Sequence, residues 1–171
     1  MTRRNDTGSI GDQAEAEAIR LLELNGWTAT NLNELSRNYR LYDLKAQKGD
    51  RGLMISVKHA RAKRHVRLGN YRVLKDLRDA DYMIIFLPVE GGSETDIRSS
   101  EYELWVVPGS ARHQALSSHL QYYGGDEERA CSHPVMIKDK IDRPGGRSTS
   151  GAVFNAWRRT YRDAWHLLAD S

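Results

Sequence analysis

Leu41-Tyr42-Asp43-Leu44-Lys45-Ala46-Gln47-Lys48-Gly49-Asp50-Arg51-Gly52-Leu53-Met54-Ile55-Ser56-Val57-Lys58 is the stretch on which the fold turns. It reads as two strands, Tyr39 to Gln47 and Gly52 to Lys58, around a polar cluster at Lys48-Gly49-Asp50-Arg51, the punctuation of a β-hairpin. With Gly49-Asp50 as a two-residue turn, cross-strand partners carry numbers that sum to 99, and Asp43 lies opposite Ser56. Side chains alternate faces along a strand, so Asp43, Ser56 and Lys58 share one face while Leu53, Ile55 and Val57 point to the other. An acid, a hydroxyl and an ammonium thereby converge within cross-strand reach. A slip of one residue would turn Asp43 to the wrong face.

Upstream, Ser9 to Asn25 has helical periodicity. Ser9 is placed as its N-cap, Ala14, Ala18, Leu21 and Leu22 lie on one face, and Gly26 stops it. At 100° per residue Glu15 falls at the edge of the apolar face, between Leu22 and Ile19, with Asp12 one turn earlier and Glu17 on the opposite, solvated side. A carboxylate at the edge of a core stripe needs a cation or a metal. The competing reading is a rim residue paired with an arginine. Trp27 to Thr30 reads as a short strand.

Downstream, Asn70 to Arg78 reads as a short helix, Asp81 to Pro88 as a buried strand, and Gly91-Gly92-Ser93 as a loop. Glu103 to Val107 is another strand, and Pro108 and Gly124-Gly125 bracket a helix. Pro134 to Lys138 is extended, Pro144-Gly145-Gly146 is a loop, and a last helix spans Ser150 to Ala169. On that helix Trp157, Tyr161, Ala164, Trp165 and Leu168 share a stripe read as core, with a base-stacking platform as the sharper alternative. This order predicts a mixed α/β domain. Residues 1–8 are read as a mobile tail and 9–171 as one domain, with a core over 10–108 and a helical part over 109–171.

The 171 residues suffice for one core, and 39% hydrophobic with 29% charged residues is a globular composition. The net charge of +3 is too small to imply a partner, so its distribution matters more. The single cysteine, Cys131, excludes an internal disulfide. No apolar run is long enough to span a bilayer, and a cytoplasmic protein is expected.

The hairpin face has a chemical use. A carboxylate holds Mg²⁺, which takes one or two protein carboxylates plus phosphate and water. The ion lowers the pKa of a bound water, and a neighbouring lysine orients that water or neutralises developing charge. From spacing alone, an ordinary Asp–Lys ion pair is the competing reading.

The pattern Ala14-Glu15, Ala18, Leu22, Gly26-Trp27, then Tyr42-Asp43-Leu44, then Ile55-Ser56-Val57-Lys58 resembles the core of the PD-(D/E)XK nuclease superfamily, which includes restriction endonucleases and Holliday junction resolvases. The resemblance covers roughly 10–108. It implies a restriction-endonuclease-like core, a central mixed sheet of four to five strands flanked by helices, and a metal-dependent DNA endonuclease. It also implies catalytic roles for Glu15, Asp43, Ser56 and Lys58. Asp43 would be the central metal ligand, with Glu15 and the backbone carbonyl of Val57 completing the protein's share of the Mg²⁺ (or Mn²⁺) shell. Lys58 would contact the scissile phosphate or the attacking water. Two departures stand out. Tyr42 stands where a proline is frequent. More seriously, Ser56 occupies the position of the family's second acid, and a hydroxyl is a poorer Mg²⁺ ligand than a carboxylate.

A basic segment follows at once: His59, Arg61, Lys63, Arg64, His65 and Arg67, continued by Arg72, Lys75 and Arg78. Of these, His59, Arg61, Lys63, Arg64 and Arg67 are assigned to DNA phosphates. The counterweight is Glu90, Glu94, Asp96, Glu101, Glu103 and Asp126-Glu127-Glu128, which suggests one DNA-facing edge. Three readings follow: an active endonuclease, a nuclease-like fold with weakened or lost catalysis that binds nucleic acid or protein, and an interaction protein whose hairpin carries only an ion pair. Many proteins of the resembled type are homodimers, because two sites are needed to cut two strands. No segment here marks an interface.

Overall fold

The computed structural model describes residues 6–35, 41–60, 65–89, 97 and 101–170. The expected loop at Gly91-Gly92-Ser93 and the first five residues of the expected tail lie outside these residues. A five-stranded sheet forms the centre. Its strands are β1 (Thr28–Asn31), β2 (Leu44–Lys48), β3 (Arg51–His59), β5 (Tyr82–Pro88) and β6 (Tyr102–Pro108), in the order β1-β2-β3-β5-β6. All neighbours are antiparallel except β3 and β5, which makes the sheet mixed.

The hairpin register is the predicted one. Leu44 pairs with Ile55, Ala46 with Leu53 and Lys48 with Arg51, around Gly49 at φ 59°. Only glycine takes that backbone conformation without steric penalty, and the short turn locks the register.

Alternation sorts the apolar residues into two cores, one per face. On one face Ile55, Ile84, Phe86, Leu104 and Val106 pack against α1 (Asp6–Leu24) through Ala14, Ala18 and Leu22. The helix begins at Asp6, three residues before the expected Ser9 cap. It ends as expected: Gly26 is at φ 83°, and Trp27 N–H reaches back to the Leu22 carbonyl. That i+5 bond is the mark of a glycine-terminated helix.

On the other face Met83, Ile85, Leu87, Trp105 and Val107 are covered by α3 (Tyr71–Lys75), α4 (Arg112–Tyr122), α5 (Glu127–Cys131) and α6 (Ser150–Tyr161). The same face carries a two-stranded antiparallel ribbon of β4 (His65–Asn70) and β7 (Pro134–Lys138). Val66, Leu68, Val135 and Ile137 of the ribbon point inward. The basic segment hides β4, because its inward residues are separated by His65, Arg67 and Gly69 and the strand finds its partner some 70 residues later.

The expected single C-terminal helix is two helices, α6 and α7 (His166–Asp170). Between them Asp163 takes φ 49° and donates its N–H to the Leu104 carbonyl at the edge of β6. The chain crosses the sheet edge there. Trp157 therefore packs on one face while Ala164 and Leu168 pack on the other, so the aromatic stripe is core, but of two cores. Edge-strand pairing offsets the interrupted helix, which periodicity alone does not detect.

Glu17 corrects a second expectation. It is buried at 9% exposure, not solvated, and accepts a 2.6 Å hydrogen bond from the Tyr102 hydroxyl and a bond from Arg20. The helix lies deeply enough on the sheet for both of its flanks to be enclosed. Among the described residues no helix is long and apolar enough to cross a membrane.

Candidate functional site

The C-terminal end of β3 meets the start of β2, the end of β1 and the middle of α1. Asp43 stands one residue before β2, where its N–H donates to the Ile55 carbonyl at 2.9 Å and its carbonyl accepts from Leu32 N–H at 2.8 Å. Its carboxylate reaches further along β3: Oδ2 accepts from the backbone N–H of Val57 at 2.7 Å. Asp43 thus spans Ser56, with its backbone tied to one neighbour and its side chain to the other. The expected direct pairing of Asp43 with Ser56 relaxes into this bridging arrangement because the ladder begins at Leu44.

Glu15 projects from α1 toward the same place. Its Oε2 accepts from Asn31 Nδ2 at 2.8 Å and its Oε1 from Asn33 Nδ2 at 3.0 Å. The Asn33 amide also lies 3.4 Å from Asp43 Oδ1, so one side chain touches both carboxylates. Burial pushes the Glu15 carboxyl above its ordinary value; the Asn31 bond opposes the shift, and the negative charges of Asp43 and Asp12 add to it. Burial is the larger cause, and the neighbouring carboxylates act in the same direction.

Lys58 ends the same strand face as Ser56. Burial lowers its pKa, and Asp43 pulls the other way. Among the described residues its ammonium has no hydrogen-bond or ion-pair partner, and Asp43 is the charge that acts on it. Ser56 is buried at 3% exposure. The four expected catalytic residues are therefore gathered at one end of the sheet.

Sequence reading missed Asn31 and Asn33. Asn31 ends β1 and Asn33 lies in the one-turn helix α2 (Leu32–Leu35), so it is the corner between the two elements that brings both amides onto Glu15. Asn33 N–H also donates to Asn31 Oδ1 at 2.9 Å, which orders the pair. Tyr42, at the frequent proline position, is an anchor. Its hydroxyl donates to the buried Asp81, which Arg78 holds through two 3.0 Å bonds. That anchor fixes the residue beside Asp43.

Of the expected phosphate contacts, Arg61, Lys63 and Arg64 lie outside the described residues. His59 is half-buried at the end of β3, and Arg67 is exposed on β4. The continuation of the basic series is largely neutralised: Lys75 pairs with Glu127 at 2.7 Å and Arg78 with Asp81. Glu103 is no surface counterweight either. It is buried, accepting from Trp105 Nε1 at 3.0 Å and Arg158 Nε at 2.9 Å.

Among the described residues no three Asp, Glu, His or Cys side chains are grouped to hold a metal. The donors at hand are two carboxylates, a hydroxyl and backbone carbonyls. That set could hold a hard ion such as Mg²⁺, which fills its shell with water and phosphate oxygens. It does not suit zinc, which takes closed nitrogen and sulfur sets.

No family model matches the chain, and no curated protein matches it. Over 96% of its length the chain is similar to 92% of the solved structure of a bacterial homing endonuclease, I-Ssp6803I, with 19% identity and a TM-score of 0.45.

Proposed function

We propose that this chain is a metal-dependent DNA endonuclease of the PD-(D/E)XK type. The observation that carries the reading is the meeting of Asp43, Glu15 and the buried ammonium of Lys58 at one end of the sheet. Asp43 and Glu15 would hold Mg²⁺ (or Mn²⁺). The N–H and C=O of one strand residue open to the same side, so the Val57 carbonyl faces the Asp43 side and would be the third ligand. When bound, the ion supplies charge for the phosphate and acidifies a water. Lys58, with its charged form disfavoured by burial, donates a proton-bearing contact to the phosphate or the water and neutralises charge as it develops. Asn31 and Asn33 orient Glu15. His59 and Arg67, with Arg61, Lys63 and Arg64, would carry the DNA backbone toward the site. A homodimer would bring a second site to the second strand.

The neutral Ser56 favours a second reading, a nuclease-like scaffold that binds nucleic acid or protein with weak or no catalysis. One experiment separates the two. Duplex, single-stranded and branched DNA are incubated with Mg²⁺ or Mn²⁺ and wild type, Asp43→Asn or Lys58→Met. Metal-dependent cleavage that both substitutions remove supports the enzyme. Binding without cleavage supports the scaffold, and cleavage surviving both substitutions rules out this site.

A further inference from the structure

A second concave site lies on the face opposite α1. It is a cavity of about 280 Å³ between α4, β7 and the segment leading into α6. That volume is at the lower end of ligand pockets and suits one nucleobase rather than a larger ligand. Its walls are of two kinds. One is aromatic: Tyr122 and Tyr123 meet edge to face at 5.0 Å, and Tyr123 stacks on His133 at 4.8 Å and 18°. Tyr122 is 50% exposed, and its ring contact among the described residues is to Tyr123, which leaves a face open.

The other wall is cationic and hydroxylic. Lys138 and Lys140 line the cavity together with Ser148, and no carboxylate lines it. Neither lysine has an ion-pair partner among the described residues. The wall is also stiff. Asp142 accepts from the N–H groups of Gly151 and Ala152 at 3.2 and 2.8 Å, and a Cβ at Gly151 would stand 2.1 Å from the Lys140 carbonyl. The segment bearing Lys140 is thus clamped to the start of α6. Lys138 pairs across the ribbon with His65, and Arg67 is exposed on the same strand. The cationic wall therefore continues across the ribbon onto Arg67 of β4.

We infer that this cavity receives an unpaired nucleotide of the DNA substrate, its base stacked on Tyr122 and its phosphate between Lys138 and Lys140. Open aromatic faces stack with any base, and lysines with no ion-pair partner among the described residues donate to the phosphate beside it. The choice of DNA as occupant rests on the nuclease reading above. It adds that the substrate carries a single-stranded stretch, flap or extruded base.

The test uses the full chain without divalent metal and an oligonucleotide carrying 2-aminopurine, whose fluorescence is quenched by stacking. Binding is followed by anisotropy with single-stranded, bulged and fully paired DNA, for wild type, Tyr122→Ala, the double variant Lys138→Ala/Lys140→Ala, and Leu24→Ala. Tyr122→Ala is expected to abolish the protein-induced quenching and to weaken single-strand binding roughly five- to hundredfold, with fully paired DNA unaffected. The double lysine variant should flatten the dependence of log affinity on log salt by about 1.4 for single strands. Leu24→Ala, an exposed position on α1 on the other face of the sheet, should bind like wild type. Quenching and affinity unchanged in Tyr122→Ala would overturn the inference, even if the protein cleaves DNA. Tyr122-dependent binding in a protein that cleaves nothing would keep the cavity and remove the nuclease reading.

Discussion

The carboxylate of Asp43 accepts a 2.7 Å hydrogen bond from the backbone N–H of Val57, 14 residues along the chain. This bond gives Asp43 two separable roles, holding the end of β3 and offering a charge. Asparagine keeps the acceptor and removes the charge. Asp43→Asn should melt within a few degrees of wild type, while Asp43→Ala should lose about 1–3 kcal/mol by stranding the N–H. Neither should cleave DNA. Thermal melts beside a cleavage assay check both, and an active Asp43→Asn would remove Asp43 from the chemistry.

Lys58 has its pKa lowered by burial from an ordinary 10.5. A lowered ammonium pKa means that the charged form is destabilised in the fold below the folded pKa, and that stability returns as pH climbs from there toward 10.5. Lys58→Met should therefore raise the melting temperature at pH 7, with an advantage that shrinks in alkali. Its cleavage rate should fall by about 10²–10⁴. A variant that loses stability at neutral pH would show that the lysine is structural.

Glu15 presents the opposite sign. Its carboxyl is raised above 4.5, so the stability linked to its protonated form is complete at low pH and disappears as pH rises through the folded value. A divalent ion should reverse that loss. At a hundred times its Kd, Mg²⁺ should stabilise wild type by about 2.7 kcal/mol and leave Asp43→Asn unmoved. Melting curves at several pH values, with and without Mg²⁺, carry the test; an equal response of both proteins would dismiss the metal site.

Ser56 is buried beside these acids. Replacing it with aspartate adds a third carboxylate to a site that already holds two. Ser56→Asp should cost about 2–4 kcal/mol without metal and regain most of it with Mg²⁺. Cleavage should rise if the serine is what limits metal binding. Metal-insensitive destabilisation would show that position 56 does not face the ion.

Glu103 gives a prediction about the scaffold alone. Burial would raise its pKa, yet the Trp105 N–H and Arg158 bring it below the ordinary value. Its pairing therefore stabilises the fold above pH 4.5 and fades as pH falls through the lowered folded value. Arg158→Met should cost about 2–4 kcal/mol at neutral pH and far less in acid. A constant penalty across pH would assign the effect to lost packing by the arginine stem.

Much of this molecule was legible before any coordinates. The Gly49-Asp50 turn set the hairpin register because a two-residue loop leaves no slack. The alternation of Leu53, Ile55 and Val57 then assigned Ser56 and Lys58 to the opposite face. Glu15 was legible from its angle on an amphipathic helix. Local geometry determines each of these, so neighbouring residues carry the information.

The tertiary structure decided what depends on partners distant in the chain. β4 exists because β7 pairs with it, and the last helix breaks because β6 offers an edge to Asp163. Asn31 and Asn33 became part of the site only when β1 was laid beside β2. Glu17, placed in solvent by its angle alone, is buried because Tyr102 closes over it. For the opening hairpin, the sequence by itself determined which residues share a face. Only packing could decide that Asp43 bridges to the backbone of Val57 and that Lys58 is buried beside the Asp43 charge, because burial and desolvation belong to the assembled sheet and not to any single strand.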